Sequence, residues 1–124
     1  MGTLFLIGRV LLGGFFLFNA FNHFKKLTGY IGYAQSKGIP HPKIVVITTG
    51  VMLAIGGLSI LLGVFIVLGM WLLVLFLLGT TFTMHKFWKE TDPGVRAGEM
   101  TQFMKNMALI GALLMLSALF AIIG

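Results

Sequence analysis

The side chains best suited to chemistry are a few polar groups at the ends of long apolar runs. They form three pairs with spacings of four, three and seven residues, namely Asn19 with His23, His85 with Trp88, and Glu99 with Asn106. Each spacing puts a pair on one helix face. Because an ionised side chain inside a bilayer costs about 2.5–3.5 kcal/mol on insertion scales, such residues mark functional sites by default. The three faces together predict a single polar ligand pocket.

This pocket predicts binding of a quinone or a similar lipophilic ligand. A histidine changes charge near neutral pH, so His23 and His85 can donate to a quinone oxygen and pass on a proton. Trp88 would stack on the ring, and the amides of Asn19 and Asn106 would orient it. Haem b held between the two imidazoles is a second hypothesis. The sequence has no HExxH, Walker or GxSxG motif, so no catalytic residue, metal site or intrinsic cofactor is predicted.

A purely structural interpretation stays open for these residues. The histidines can lie at the membrane interface, bonded to headgroups or backbone. Asn106 can form a hydrogen bond between helices, worth about 1 kcal/mol or less, and Trp88 is typical of an aromatic belt. Arg9 lies close to the start of the first apolar run, so its side chain is expected to extend towards the nearby headgroups.

The elements that must position these residues are membrane-spanning helices. Of the 124 residues, 58% are apolar and 10% are charged, which is more apolar surface than a small soluble domain can bury. Four apolar stretches, roughly 3–24, 44–62, 64–84 and 103–123, approach the ~20 residues that cross a bilayer. The chain has no cysteine, which excludes thiol chemistry. The predicted fold class is an all-α membrane protein, a single domain over 1–124, with a four-transmembrane-helix bundle and a short interfacial helix between spans one and two.

Turn and connector residues refine this prediction. Gly63, with Gly69, is expected to form the tight turn between the second and third spans. In the first connector, Thr28 is expected to cap the short helix and Gly38 to stop it; an ordered loop is the alternative. Asp92 before Pro93 predicts that the fourth helix begins well before its apolar stretch. The apolar side of the short helix is predicted to comprise Leu27, Ile31 and Ala34.

The distribution of basic residues predicts the orientation. Only Arg9 lies towards the other side of the membrane, while eight basic residues flank the two connectors. By the positive-inside rule, both long loops face the cytoplasm and both termini face outward from the inner membrane. The net charge of +6 forms no single basic stripe, so nucleic-acid binding is not predicted. Anionic-lipid contacts are expected at Lys25, Lys26, Lys86 and Lys89.

Small residues predict where helices approach closely, because packing in lipid depends on close contact. On the first span, positions 9, 13, 16, 20 and 23 follow the spacing of a packing seam. On the second span the predicted face comprises Gly50, Ala54 and Gly57. On the fourth it comprises Ala108 and Ala112, continued by Ser117 and Ala121.

Several segments together resemble a known family. RVLLGGFFLFNAFNHFKKL, a Tyr-rich segment ending in GIP, HKFWKETDP, and FMKNMALIGALLML are similar to the DoxX family of small four-helix membrane proteins over nearly the whole chain. The family-pattern positions are His85, Trp88, Lys105 and Asn106. Many similar members carry an acidic residue in the second span, whereas VVITTGVMLAIGG here has none. If that carboxylate belongs to a site in those members, the resemblance implies that this chain either lacks their reaction or uses Glu99 instead.

The resemblance implies a membrane protein in a redox setting, because some relatives are linked to thiosulfate:quinone oxidoreductase and others to oxidative-stress complexes in membranes. The resulting expectation is a membrane subunit of a quinone-linked oxidoreductase, working with a membrane or peripheral redox partner protein and in contact with membrane lipids. A non-enzymatic scaffold is the alternative, and a small-solute or lipid transporter a third. Self-association of so small a bundle stays open.

Overall fold

The chain is built from helices throughout residues 2–123, the part that a computed structural model describes. Four of the helices are long and apolar enough to cross a membrane. The predicted class, an all-α membrane protein with four transmembrane helices and a short helix between the first two, is confirmed. In chain order the elements are α1 (Gly2–Lys25), α2 (Leu27–Ser36), α3 (Pro42–Leu62), α4 (Ile66–Met84), a 3-10 turn (Phe87–Lys89) and α5 (Pro93–Ile123).

The last helix is longer than its apolar stretch. α5 comprises 31 residues, or about 46 Å at 1.5 Å per residue, which exceeds the ~30 Å hydrocarbon core. Its start is confirmed as predicted: Pro93 is the first helical residue, and the backbone N–H of Val95 donates to Oδ2 of Asp92 over 2.9 Å. Asp92 thus satisfies one of the donors that every helix start leaves unpaired.

The chain forms two compact units. The first extends to Leu73 and the second begins at Val74, so the boundary lies within α4. In the first unit, α1 runs antiparallel to α3, and the predicted seam on α1 is confirmed by the burial of Gly13, Phe16 and Ala20. α1 and α3 approach closely at Gly13, where an added Cβ would lie 2.9 Å from the Gly57 carbonyl oxygen.

The predicted small-residue face of the second span is therefore used inside the chain. Gly50 and Gly57 are both buried, and a Cβ on Gly50 would lie 2.9 Å from the Phe24 ring. Gly56, which the sequence analysis did not single out, contacts Gly69 and Leu73 at the start of α4. A scaffold that binds partners through this face loses its support, because α1 already covers it.

The turn between α3 and α4 satisfies its own backbone polar groups. Gly63 has a φ of +73°, a left-handed conformation that glycine adopts without strain, and its predicted role is confirmed. The N–H groups of Gly63 and Val64 donate to the Ser59 carbonyl, and Ser59 Oγ donates to the Val64 carbonyl over 2.7 Å. The predicted role of Gly69 in the turn is wrong, because it lies inside α4 and packs on Ser59.

Arg9 completes this turn. Its Nε donates to the Ile60 carbonyl over 3.1 Å, and its Nη2 donates to the Leu61 carbonyl over 2.8 Å. These bonds add a role at the end of α3 that the sequence did not predict, and the expected contact of Arg9 with headgroups stays a prediction. The last carbonyls of a helix have no partner within it, and in lipid an unpaired carbonyl is costly, so the guanidinium folds back onto the end of α3.

Two other local predictions turn out wrong. Thr28 does not cap α2, because the helix begins at Leu27 with no side-chain cap and Thr28 lies within it. On α5, Ala108, Ala112 and Ala121 are exposed. Of the predicted face only Ser117 is buried, on a stripe whose other members are Asn106, Ile110 and Leu113. The predicted stop at Gly38 (φ +78°) and the burial of Ala34 in α2 are confirmed.

Candidate functional site

The second unit contains a histidine–carboxylate pair. α4 ends at Met84, so His85 lies in the connector directly after it, and Glu99 lies in the second turn of α5. Nδ1 of His85 is 3.4 Å from Oε2 of Glu99, and the two side chains are only 12% and 13% exposed. A carboxylate this close attracts a protonated imidazole electrostatically, and such a pair can take part in proton transfer. The prediction that His85 and Trp88 share one helix face is wrong, because α4 ends at Met84, before both residues.

An aromatic cluster lies beside this pair. Phe103, one turn after Glu99 on α5, makes edge-to-face contacts with three rings at centroid distances of 5.3 to 5.8 Å, those of Phe87, Phe82 and Trp88. Arg96 lies over the Phe87 ring at 5.7 Å. Trp88 remains 46% exposed. The cluster holds the 3-10 turn against α5 and gives the His85–Glu99 pair an apolar neighbour. Of these rings, the sequence analysis identified only Trp88.

Thr81 lies one helical turn before His85 and is fully buried, with a relative exposure of 0%. Its Oγ1 has no hydrogen-bond partner among the described residues. Other helical threonines here behave differently: Thr83 donates to the Gly79 carbonyl and Thr101 to the Ala97 carbonyl, each four residues back. A buried hydroxyl without a partner costs about 1–3 kcal/mol, so Thr81 is a candidate ligand contact. Thr81 is not among the predicted site residues, although its spacing of four from His85 was an available signal.

Asn106 is the other buried polar side chain of interest on α5. It is 4% exposed and lies two turns after Glu99 on the buried stripe of the helix. Lys105, its neighbour, turns away and donates from Nζ to Oε1 of Gln102 over 2.8 Å. The second unit therefore brings together His85 and Glu99, and it buries Thr81 and Asn106 further along the same two helices.

The first unit holds the remaining two predicted site residues. Nδ1 of His23 lies 2.9 Å from the Asn19 carbonyl oxygen, and since a carbonyl only accepts, Nδ1 carries the proton. The amide of Asn19 donates to the Phe15 carbonyl over 2.9 Å, so its side chain bonds to its own helix. The Tyr30 ring meets the His23 ring edge-to-face at 4.7 Å. Tyr30 was not predicted as a site residue, although it follows His23 by seven positions.

The six predicted site residues thus form two groups, one in each unit, and a single pocket enclosing all of them stays a prediction, as does haem between the two histidines. No group of three or more metal-ligating side chains occurs within residues 2–123. The predicted lipid-contacting lysines at 25, 26 and 89 are exposed and Lys86 is partly exposed; their lipid contacts also stay predictions.

The four helices of membrane length define a small α-helical integral membrane protein. Its polar candidate residues lie where the last two of these helices, α4 and α5, are joined. The DoxX family model matches residues 4–86, about two thirds of the chain, and the chain belongs to the DoxX family. The match includes His85 but ends before Trp88, Lys105 and Asn106, so their assignment as family positions rests on resemblance alone. No match was found among curated proteins. None was found among solved structures.

Proposed function

We propose that this DoxX protein binds a quinone, or a lipophilic ligand with a similar oxygen-bearing ring, as a membrane subunit of redox metabolism. The observation that carries the proposal is the nearly buried His85–Glu99 pair, at 3.4 Å, next to aromatic rings and one turn from the unpartnered hydroxyl of Thr81. Binding sites for lipophilic ligands are mostly apolar, with a few convergent polar groups that fix orientation.

Each residue has a defined role in this proposal. His85 hydrogen-bonds one ring oxygen, and Glu99 orients the imidazole and relays a proton to it. Thr81 lies four residues before His85, near the end of α4, and its buried hydroxyl has no hydrogen-bond partner among the described residues. Its hydroxyl is suited to the second oxygen. The Phe103 and Trp88 rings form the apolar side of the site.

A quinone supplies the two-electron chemistry when bound, and its reduction consumes two electrons and two protons. In the proposal the chain provides binding, orientation and one proton path through the His85–Glu99 pair, while a partner redox protein supplies the electrons. The excess of lysines on both connectors supports a cytoplasmic location for this end of α4 and α5, in the inner membrane.

The test measures quinone in lipid extracts of the purified full-length protein, relative to the membrane from which it came. We expect enrichment over the membrane pool, and we expect His85→Asn and Glu99→Gln each to bring the ratio down about tenfold, because charge-assisted hydrogen bonds contribute about 1.5–3 kcal/mol. An absorbance spectrum of the same sample tests haem, which would give a Soret band.

His41→Asn is the matched control. His41 is exposed, lies in the other connector and has a φ of +49°, which asparagine tolerates. It should leave the quinone ratio unchanged. A wild-type protein with no enrichment, or a His85→Asn variant that folds and keeps full enrichment, would show that the proposed site does not bind quinone.

A further inference from the structure

Arg9 has more hydrogen-bond donors than the described residues accept. A guanidinium carries five N–H donors in a fixed plane, and two of them bind the Ile60 and Leu61 carbonyls. Its guanidinium also lies against Gly63, and its Cζ is 5.6 Å from the centroid of the Phe5 ring. Three donors are thus left without an acceptor among the described residues, on a cation whose position is fixed by the end of α3.

The charge of Arg9 is also unbalanced in its own unit. The acidic residues of the chain are Glu90, Asp92 and Glu99, and all of them follow residue 73. Because each span reverses the side of the membrane, the segment containing them emerges at the surface opposite to the Gly63 turn. The α3 C-terminus contributes about −0.5 charge, but the α4 N-terminus beside it contributes about +0.5. The helix ends therefore supply no net counter-charge.

The depth of Arg9 indicates where an anion is available. Arg9 precedes Lys25 by 16 residues of α1, which is about 24 Å along the helix. With Lys25 at one edge of a hydrocarbon core about 30 Å thick, Arg9 lies just inside the other edge. The anions nearest to that level in a bilayer are the phosphates of lipid headgroups.

We propose that Arg9, held against the Gly63 turn, binds the phosphate of one phospholipid headgroup in the leaflet opposite the lysine-rich connectors. Arginine suits this ligand because its planar donor fork matches a phosphate bidentately. Gly63 makes room for it: a Cβ there would lie 3.0 Å from Nη2 of Arg9. The site is distinct from the proposed quinone site and does not depend on it.

The decisive experiment is a solid-state NMR distance measurement between arginine ¹³Cζ and lipid ³¹P. The full-length protein, labelled at arginine, is reconstituted in phosphatidylglycerol and phosphatidylethanolamine bilayers in phosphate-free buffer. The sequence has two arginines, so Arg96→Lys leaves Arg9 as the single labelled site. We expect dephasing that corresponds to about 4 Å, the separation imposed by N–H···O bonds of about 2.8 Å. No dephasing in bilayers overturns the proposal.

A second arm distinguishes lipid from free phosphate. The same protein in a detergent without phosphorus is given inorganic phosphate. Dephasing of the Arg9 ¹³Cζ signal in detergent with phosphate, but not in bilayers, identifies an anion site that lipid cannot enter. That result also overturns the proposal.

A variant measurement complements the distance. Arg9→Gln should retain about tenfold less phosphatidylglycerol than wild type by native mass spectrometry, whereas Lys43→Gln, which removes an exposed cation at the other surface, should retain a wild-type amount. Equal losses in both variants contradict a specific site. If Arg9→Gln does not fold, the NMR measurement on the chain with Arg9 intact still decides.

Discussion

At the scale of single residues, the informative side chains are those whose hydrogen bonding differs from that of similar side chains nearby. Thr81 is fully buried and its hydroxyl has no described partner, while the exposed Thr83 two positions later bonds to its own helix. A residue type alone does not distinguish the two, because both lie near the same end of α4. Only the burial of the side chain does, and burial depends on tertiary packing that one sequence does not reveal.

Thr81→Val tests the assignment of Thr81 as a ligand contact. Valine has the same shape without the hydroxyl, so removing an unsatisfied buried polar group should raise the free energy of unfolding of the ligand-free protein by about 1 kcal/mol. Quinone content should fall at the same time. Stability is measured by denaturation in detergent and quinone by lipid extraction.

Thr83→Val is the control for Thr81→Val. It removes an exposed hydroxyl that bonds within α4, so neither the free energy of unfolding nor the quinone content should change appreciably. A Thr81→Val variant that loses stability would indicate that the hydroxyl has a structural partner instead.

At the scale of helices, the sequence predicts features that depend on one segment. The α1 seam follows from helical spacing, the stop at Gly38 from glycine's backbone freedom, and the start at Pro93 from the preceding Asp92. Features that depend on two segments are not predictable in this way. The small residues on α5 suggested a packing face, yet that helix buries the stripe through Asn106 and leaves Ala108 exposed.

Adjacent glycines of α1 should respond to substitution in opposite directions. A Cβ on Gly13 would lie 2.9 Å from backbone atoms of Gly57 and Leu61, whereas one on Gly14 meets no atom within 4 Å. Gly13→Ala should therefore lower the free energy of unfolding by about 1–3 kcal/mol through overpacking. Gly14→Ala should leave it unchanged or raise it by up to about 1 kcal/mol, because alanine is the better helix former.

The measurement for this pair is denaturation of the two purified variants in the same detergent, followed by far-UV circular dichroism. The difference between the variants is more informative than either value, since both remove one glycine from the same helix. Equal effects would mean that α1 and α3 do not approach closely at Gly13.

At the scale of the whole molecule, four helices of membrane length follow directly from composition and run length. The geometry of the candidate site in the second unit could be predicted only in part. The sequence identified His85 and Glu99 individually, but their 3.4 Å approach depends on α4 stopping at Met84 and on the 3-10 turn packing against Phe103. Those contacts join residues that are 14 or more positions apart, and helical periodicity carries no information about them.

The orientation in the membrane is testable with reporters on the intact chain. We expect a reporter that is active only outside the cytoplasm to be active when fused after Gly124, and a cytosolic reporter to be active when inserted after Lys37, because basic residues flank both connectors. The opposite pattern of reporter activity would show that the topology is inverted and that the His85–Glu99 pair lies at the outer surface.

The bond between Arg9 and the end of α3 also constrains biogenesis. Ribosomes release the chain from its N-terminus, so Arg9 reaches the bilayer before the carbonyls of Ile60 and Leu61 have been synthesised. The charged Arg9 side chain of α1 therefore has no backbone partner on α3 until α3 has also entered the bilayer. A chain without α1 would lack the Arg9 donors of those two carbonyls, and we expect its α3 to be less stable in a bilayer.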